Sequence, residues 1–181
     1  MKKLETERLI LRPWKLSDAE DLYEYAKNDL VGPNAGWPPH HSIGESEKII
    51  LQFIAGECVY AIELKSESKV IGGIGIHNRQ PDESLEHLKQ REIGYVLNPN
   101  YWGNGYVPEA TQRLIRHGFE ELNLDLIWCG HYSDNLKSKR VNEKCGFIFH
   151  FKKKETLCLL DNKVVETWYY KLTEKEYYEK V

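Results

Sequence analysis

Cysteine is scarce in these 181 residues, and Cys58, Cys129, Cys145 and Cys158 form no C-x-x-C pair. That distribution argues against a disulfide framework and against a zinc site, which need closely paired thiols, and predicts a reduced, unpaired set. Of the seven histidines only His40 and His41 are adjacent, and chain neighbours rarely point at one metal, so no metal is expected. No apolar run approaches the roughly eighteen residues that span a bilayer. The opening MKKLETERLILRPW interleaves charges with its apolar residues and lacks the apolar core of a secretory signal. A basic surplus is missing too: 25 Lys and Arg against 28 Asp and Glu leave a formal charge of −3, which argues against a general nucleic-acid binder. With no repeat, low-complexity tract or linker, the expectation is one cytoplasmic domain over residues 1–181. A monomer or homodimer is expected, with neither membrane nor nucleic acid as partner.

What is present suits a packed core. Hydrophobic residues make up 41%, charged residues 29% and aromatics 12%, and a chain of this length buries roughly 70% of its unfolded surface without staples. Arg8–Arg12 alternates polar and apolar residues and reads as a strand ended by Pro13. Ser17 with Glu20 forms a capping box opening a helix to about Lys27, and Ser42 with Glu45 opens a second through Ile54. Between them, Val31–His41 is too rich in Gly and Pro for regular structure. Val59–Leu64 and Val70–His77 read as a hairpin, Arg79–Gln90 as irregular, and Arg91–Leu97 as a strand. Asn98–Val107 is a turn-rich loop, and Pro108 takes the first position of an amphipathic helix to about Leu122. Leu126–Tyr132 is a strand and Leu136–Lys144 a helix stopped by Gly146. Phe147–Leu160 and Val164–Leu172 form a hairpin around Asp161 and Asn162, and Thr173 with Glu176 caps a terminal helix. The strand–loop–helix–strand run from Arg91 to Tyr132 predicts one parallel, right-handed crossover in an otherwise antiparallel sheet.

Gly103 and Gly105 flank Asn104 just before a helix. Glycines let the backbone approach a ligand closely, and the first N–H groups of the helix have no intrahelical partner, so the terminus favours an anion such as a pyrophosphate. The spacing is neither that of a P-loop, since no Lys-Ser/Thr follows, nor that of a dinucleotide fingerprint, since the third glycine is missing.

The segment YWGNGYVPEA, followed about 25 residues later by NLKSKRVNEKCGF, resembles the acetyl-CoA site of the GNAT N-acetyltransferase superfamily. The opening LETERLILRPWKLSDAEDL and the NxxS…EKxGF features resemble the branch containing the ribosomal-protein-alanine N-acetyltransferases, and the likeness runs from about Leu4 to Leu172. Trp102 stands where Gln or Arg is usual, and Val107, bulkier beside the expected pyrophosphate, where Gly or Ala is usual. The resemblance implies an α/β (α+β) fold: a mixed, mostly antiparallel sheet of about seven strands, one parallel pair splayed at the acetyl-CoA site, and helices on both faces. It implies acetyl-CoA as cosubstrate. The strand backbone at Val96, Leu97 and Asn98 would pair with the pantetheine amides. The amides of Gly103, Asn104, Gly105, Tyr106 and Val107 would cradle the pyrophosphate, and Asn135 would hydrogen-bond the pantetheine arm. Ser138 falls where the thioester sulfur would arrive. Lys139, with Lys137, Arg140 and Lys144, forms a basic patch that suits a 3′-phosphate or is simply a solvated helix face.

Transfer to an amine needs a neutral nucleophile, donors for an oxyanion and a proton for the departing thiolate. The Leu97 N–H, at a break in strand pairing, is the candidate oxyanion donor, and Ser138, or else Tyr132, the candidate acid. Glu92 is the first candidate base, because burial would raise its pKa; Glu166, His77 and solvent are the others. Cys129 and His131 share a strand face but stand about 7 Å apart, beyond hydrogen-bond reach, which disfavours a covalent route. Trp37 and His40 would line the acceptor mouth with His77, Trp37 serving as wall or as loop anchor. The readings from other classes are a CoA-binding sensor or scaffold and a nucleotide-binding protein. The acceptor is a protein N-terminus or a small-molecule amine.

Overall fold

Apolar alternation in the strands and apolar stripes on the helices force a three-layer arrangement, with one sheet between two helical faces. The computed structural model describes residues 1–179. Its strands are β1 (Leu4–Glu5), β2 (Leu9–Arg12), β3 (Val59–Leu64), β4 (Lys69–His77), β5 (Gln90–Leu97), β6 (Leu126–Tyr132), β7 (Ile148–Leu157) and β8 (Lys163–Thr173). The α-helices are α1 (Ala19–Ala26), α2 (Ile43–Gly56), α3 (Tyr106–Glu120), α4 (Leu136–Lys144) and α5 (Glu174–Tyr178). The sheet order is β1-β2-β3-β4-β5-β6-β8-β7, and among the described residues only β5 and β6 run parallel, joined by the α3 crossover. Among the described residues the strands number eight rather than about seven, because Leu4 and Glu5 add a short edge against Leu11 and Ile10.

Leu114, Ile115 and Phe119 of α3 pack with Leu9, Leu11, Ile62, Ile74 and Ile93 on one face of the sheet, while Leu22 and Tyr25 of α1 and Ile50 of α2 pack with Trp14, Ala61 and Val70 on the other. Several boundaries depart from the sequence reading, each for a local reason. The first helix is not opened by Ser17 and Glu20: the Asp18 carboxylate accepts the Lys15 N–H at 2.8 Å and ends a 3₁₀ turn, because Arg12 grips both Asp18 oxygens at 2.8 Å. At α2 the Ser42 hydroxyl accepts the Glu45 N–H as expected, but the Glu45 carboxylate takes the N–H of His41. Helix α3 starts two residues before Pro108, at Tyr106, so the proline is its third residue, where a missing N–H still costs nothing. Asp161 and Asn162 both adopt left-handed conformations, the pattern of a tight hairpin turn, and Thr173 with Glu176 forms the complete capping box.

Candidate functional site

The pairing of β5 with β6 ends at Ile93↔Cys129; beyond it β5 follows β4 to Leu97 and β6 follows β8 to Tyr132. A cleft of about 880 Å³ opens through this fork. Residues of an antiparallel pair alternate between bonding their partner strand and turning away from it. The Asn98 amide donates to the Ile71 carbonyl at 2.8 Å, so Asn98, and by alternation Val96, bond toward β4. Tyr95 and Leu97 therefore direct their backbone groups at the fork, and the Leu97 carbonyl is taken by the Trp102 indole N–H at 2.9 Å. This corrects the expected ligand edge: Val96 and Asn98 offer no free amide, whereas Leu97 does, joined by Tyr95. The Asn98 side chain is also engaged, donating to Glu24 at 2.8 Å.

Beside the fork, Gly103 and Gly105 have φ of +83° and +79°, conformations that need glycine. Gly105 is the N-cap of α3 and supplies no side-chain cap, so the first helical amides face the loop. A Cβ on Gly103 would meet nothing within 4 Å, leaving the cradle open above Asn104. Val107 points into the core rather than into the cradle and is buried beside Leu114, so its bulk does not narrow the loop. A guanidinium that sequence reasoning missed stands against the loop. Arg8 donates to the Asn104 carbonyl at 3.0 Å, lies 4.5 Å above the Tyr106 ring, and is clamped by Glu109 at 2.7 Å. On the other side Lys137 places its ammonium 3.6 Å from the Trp102 ring centroid. Lys139, the residue expected to bind, instead pairs with Glu143 on its own helix at 3.6 Å.

Asn135 caps α4 through its side-chain Oδ1, which accepts the Ser138 N–H at 3.1 Å. The Tyr95 hydroxyl reaches the Ser138 carbonyl at 3.5 Å, and Tyr95, Asn135 and Ser138 all line the cleft. Across the fork, Glu92 is 9% exposed. Burial pushes its carboxyl up, against the pull of Arg79, whose guanidinium lies 3.7 Å away, and with the push of Glu155. Gly130 makes room for this carboxyl: a Cβ there would lie 3.3 Å from Glu92 Oε1 and 3.1 Å from the Tyr169 ring. His77, paired with Glu92 across β4 and β5, folds its ring over Gly75 and Gly94, and burial pushes its pKa down. Tyr132 and Trp37 line the same cavity.

The remaining candidates separate. His40 lines the cleft, but its Nδ1 is bonded to the buried Ser46 hydroxyl at 2.8 Å and its amide to Ala26, which makes it an anchor of the α1–α2 connection. Glu166 lies outside the cavity lining; hydrogen bonding by the Trp168 indole and the charge of Lys152 lower its pKa, the wrong direction for a base. Burial pushes the Cys129 thiol far up, so it supplies no thiolate for a covalent route. No helix among the described residues is long and apolar enough to cross a membrane.

A family model described as "Acetyltransferase (GNAT) domain" matches residues 8–148. The chain is 32% identical over 149 residues to the "Uncharacterized N-acetyltransferase YoaA" of Bacillus subtilis, covering 80% of this chain and 81% of that protein. An acetyltransferase structure (GNAT family) from Bacillus anthracis superposes with a TM-score of 0.85 at 26% identity, over 97% of this chain and all of that one. The microcin C7 self-immunity acetyltransferase MccE, solved with acetyl-CoA and AMP, shares the fold at 24% identity and a TM-score of 0.74, over 93% of each chain.

Proposed function

This chain belongs to the GNAT family of acetyltransferases, and from that we propose that it moves the acetyl group of acetyl-CoA to a primary amine, on a small molecule or a protein N-terminus, by direct attack within a ternary complex. The observation that carries this reading is the fork between β5 and β6 opening beside an uncapped, glycine-bounded helix start. An extended chain bearing amides fits the first, and a pyrophosphate the second. In this reading the Gly103–Val107 amides hold the pyrophosphate, assisted by Arg8, and Tyr95 and Leu97 hold the pantetheine arm. The Leu97 N–H faces the carbonyl oxygen where negative charge develops. Glu92, directly or through water, takes the amine proton, and Ser138 returns one to the thiolate. The four free cysteines fit a reducing cytoplasm.

The test of the cofactor half is Gly105→Val. A β-branched residue at φ +79° strains the loop by about 1–2 kcal/mol, and its bulk stands in the cradle. Calorimetry should show acetyl-CoA affinity falling more than about tenfold, or about 1.4 kcal/mol. Unchanged affinity in a folded variant removes the cradle from this account. The transfer half is tested by hydrolysis-corrected thiol release from acetyl-CoA across a panel of amines; cofactor binding with no thiol release for any amine points to the sensor reading instead.

A further inference from the structure

Two polar groups in the acceptor half of the cleft have no role in the mechanism above. Trp14 and Tyr25 are 4% and 1% exposed and both line the cavity. Neither the indole N–H nor the phenol has a hydrogen-bond partner among the described residues. An unpaired buried donor destabilises a fold, so Phe would serve folding better at position 25. The indole presents its N–H edge to the sheet, since a Cβ on Gly73 would lie 3.3 Å from Trp14 Cζ2. Burial keeps the Tyr25 phenol protonated, and the charges of Asp21 and Asp18 add to that effect. Both groups therefore donate, and the nearby aspartates make a carboxylate a poor guest. A neutral oxygen is the complementary one.

Between this end and Glu92 the ground is aromatic: the Trp14 ring lies over Gly73, and the His77 imidazole lies over Gly75 and Gly94. Gly73, Gly75, Gly94 and Gly130 line the cavity on β4, β5 and β6, with Gly75 and Gly94 directly paired. Trp37, Tyr132 and Tyr169 wall it. The mouth is narrowed where Gly36 meets the hairpin: a Cβ there would lie 3.0 Å from the Tyr132 hydroxyl and 3.8 Å from Leu157.

We infer that the acceptor is a small molecule: a primary amine on a flat ring body whose far end presents a neutral oxygen to the Trp14 N–H and the Tyr25 hydroxyl. This rests on the acetyl-transfer reading and narrows it. The test compares thiol release from acetyl-CoA for arylalkylamines with one to three methylenes, each with and without a para-hydroxyl, and for a peptide beginning with alanine. At least one hydroxylated amine should exceed its unsubstituted partner tenfold in kcat/KM, mainly through KM, and exceed the peptide as well. Tyr25→Phe should shrink that ratio below threefold while raising the melting temperature; a purely structural Tyr25 would move the melting temperature alone. Trp14→Phe should shrink the same ratio. Equal rates across every pair, a ratio retained in both variants, or preference for the peptide overturns the inference. Amine turnover without oxygen preference sinks only this inference, whereas an absence of amine-dependent thiol release sinks the acetyl-transfer reading with it.

Discussion

Glu92→Gln should lower the high-pH plateau of kcat/KM by about 10²–10⁴-fold, the range for a lost acid–base group, while acetyl-CoA binding stays intact. An acceptor α-amine with a pKa near 7.7–8.0 is neutral in about a tenth of molecules at pH 7, and a lysine-type amine in far fewer. A base held close is therefore most valuable at and below neutral pH. Because burial raises the Glu92 pKa, wild-type activity should fall as pH drops through that raised value, and the variant should lose that limb. Stability moves the other way. A carboxyl whose folded pKa lies above its unfolded value binds more protons in the folded state, so its contribution is fully present below the unfolded pKa and is lost as pH rises through the folded one. Glu92→Gln removes this loss, so at pH 8 the variant should melt no lower than wild type. A pH–rate profile and paired melts decide it. If both profiles superimpose, Glu92 is a passive wall, and His77 or solvent inherits the proton.

Ser138→Ala should reduce kcat by about 10²–10⁴-fold with little change in acetyl-CoA affinity. The variant is structurally mild because both Ser138 hydrogen bonds come from its backbone: the amide to Asn135, the carbonyl to the Tyr95 hydroxyl. Alanine keeps both. A single-turnover measurement of thiol release beside a calorimetric Kd separates chemistry from binding. Wild-type turnover would pass the acid role to Tyr132, whose hydroxyl reaches the same cleft, and Tyr132→Phe would then show the loss.

Elements with local signals were legible before any coordinates. The glycine loop, α4 with its glycine stop, and the crossover that makes β5 and β6 parallel all rest on neighbours within one segment. What stayed hidden depends on partners far along the chain. Arg8 reads as the start of an ordinary strand, and its place at the cradle follows from contacts to Asn104 and Glu109, about a hundred residues away. The alternation Val96–Leu97–Asn98 is visible in sequence, but which edge of β5 meets β4 is not, and that edge decides whose amides are free. Likewise Glu20 has the spacing of a capping residue, yet Asp18 wins the role because Arg12, itself braced by Glu63, already holds it. The Gly73–Gly75–Gly94–Gly130 floor lies on three strands and exists only once their register is set.

The fork has a mechanical consequence. Only four residue pairs join β5 to β6, so the sheet carries two interior edges of the kind that elsewhere recruit another strand. Such edges can pair with a single extended arm that carries amide groups. Bound substrate would then act as a removable ninth member of the sheet. Hydrogen exchange should register this directly: the Tyr95 and Leu97 amides should exchange faster than those of Val96 and Asn98 in the free protein and become protected when acetyl-CoA is added. At a hundredfold excess over Kd the fold should gain about 2.7 kcal/mol, and every turnover would take that brace away and restore it.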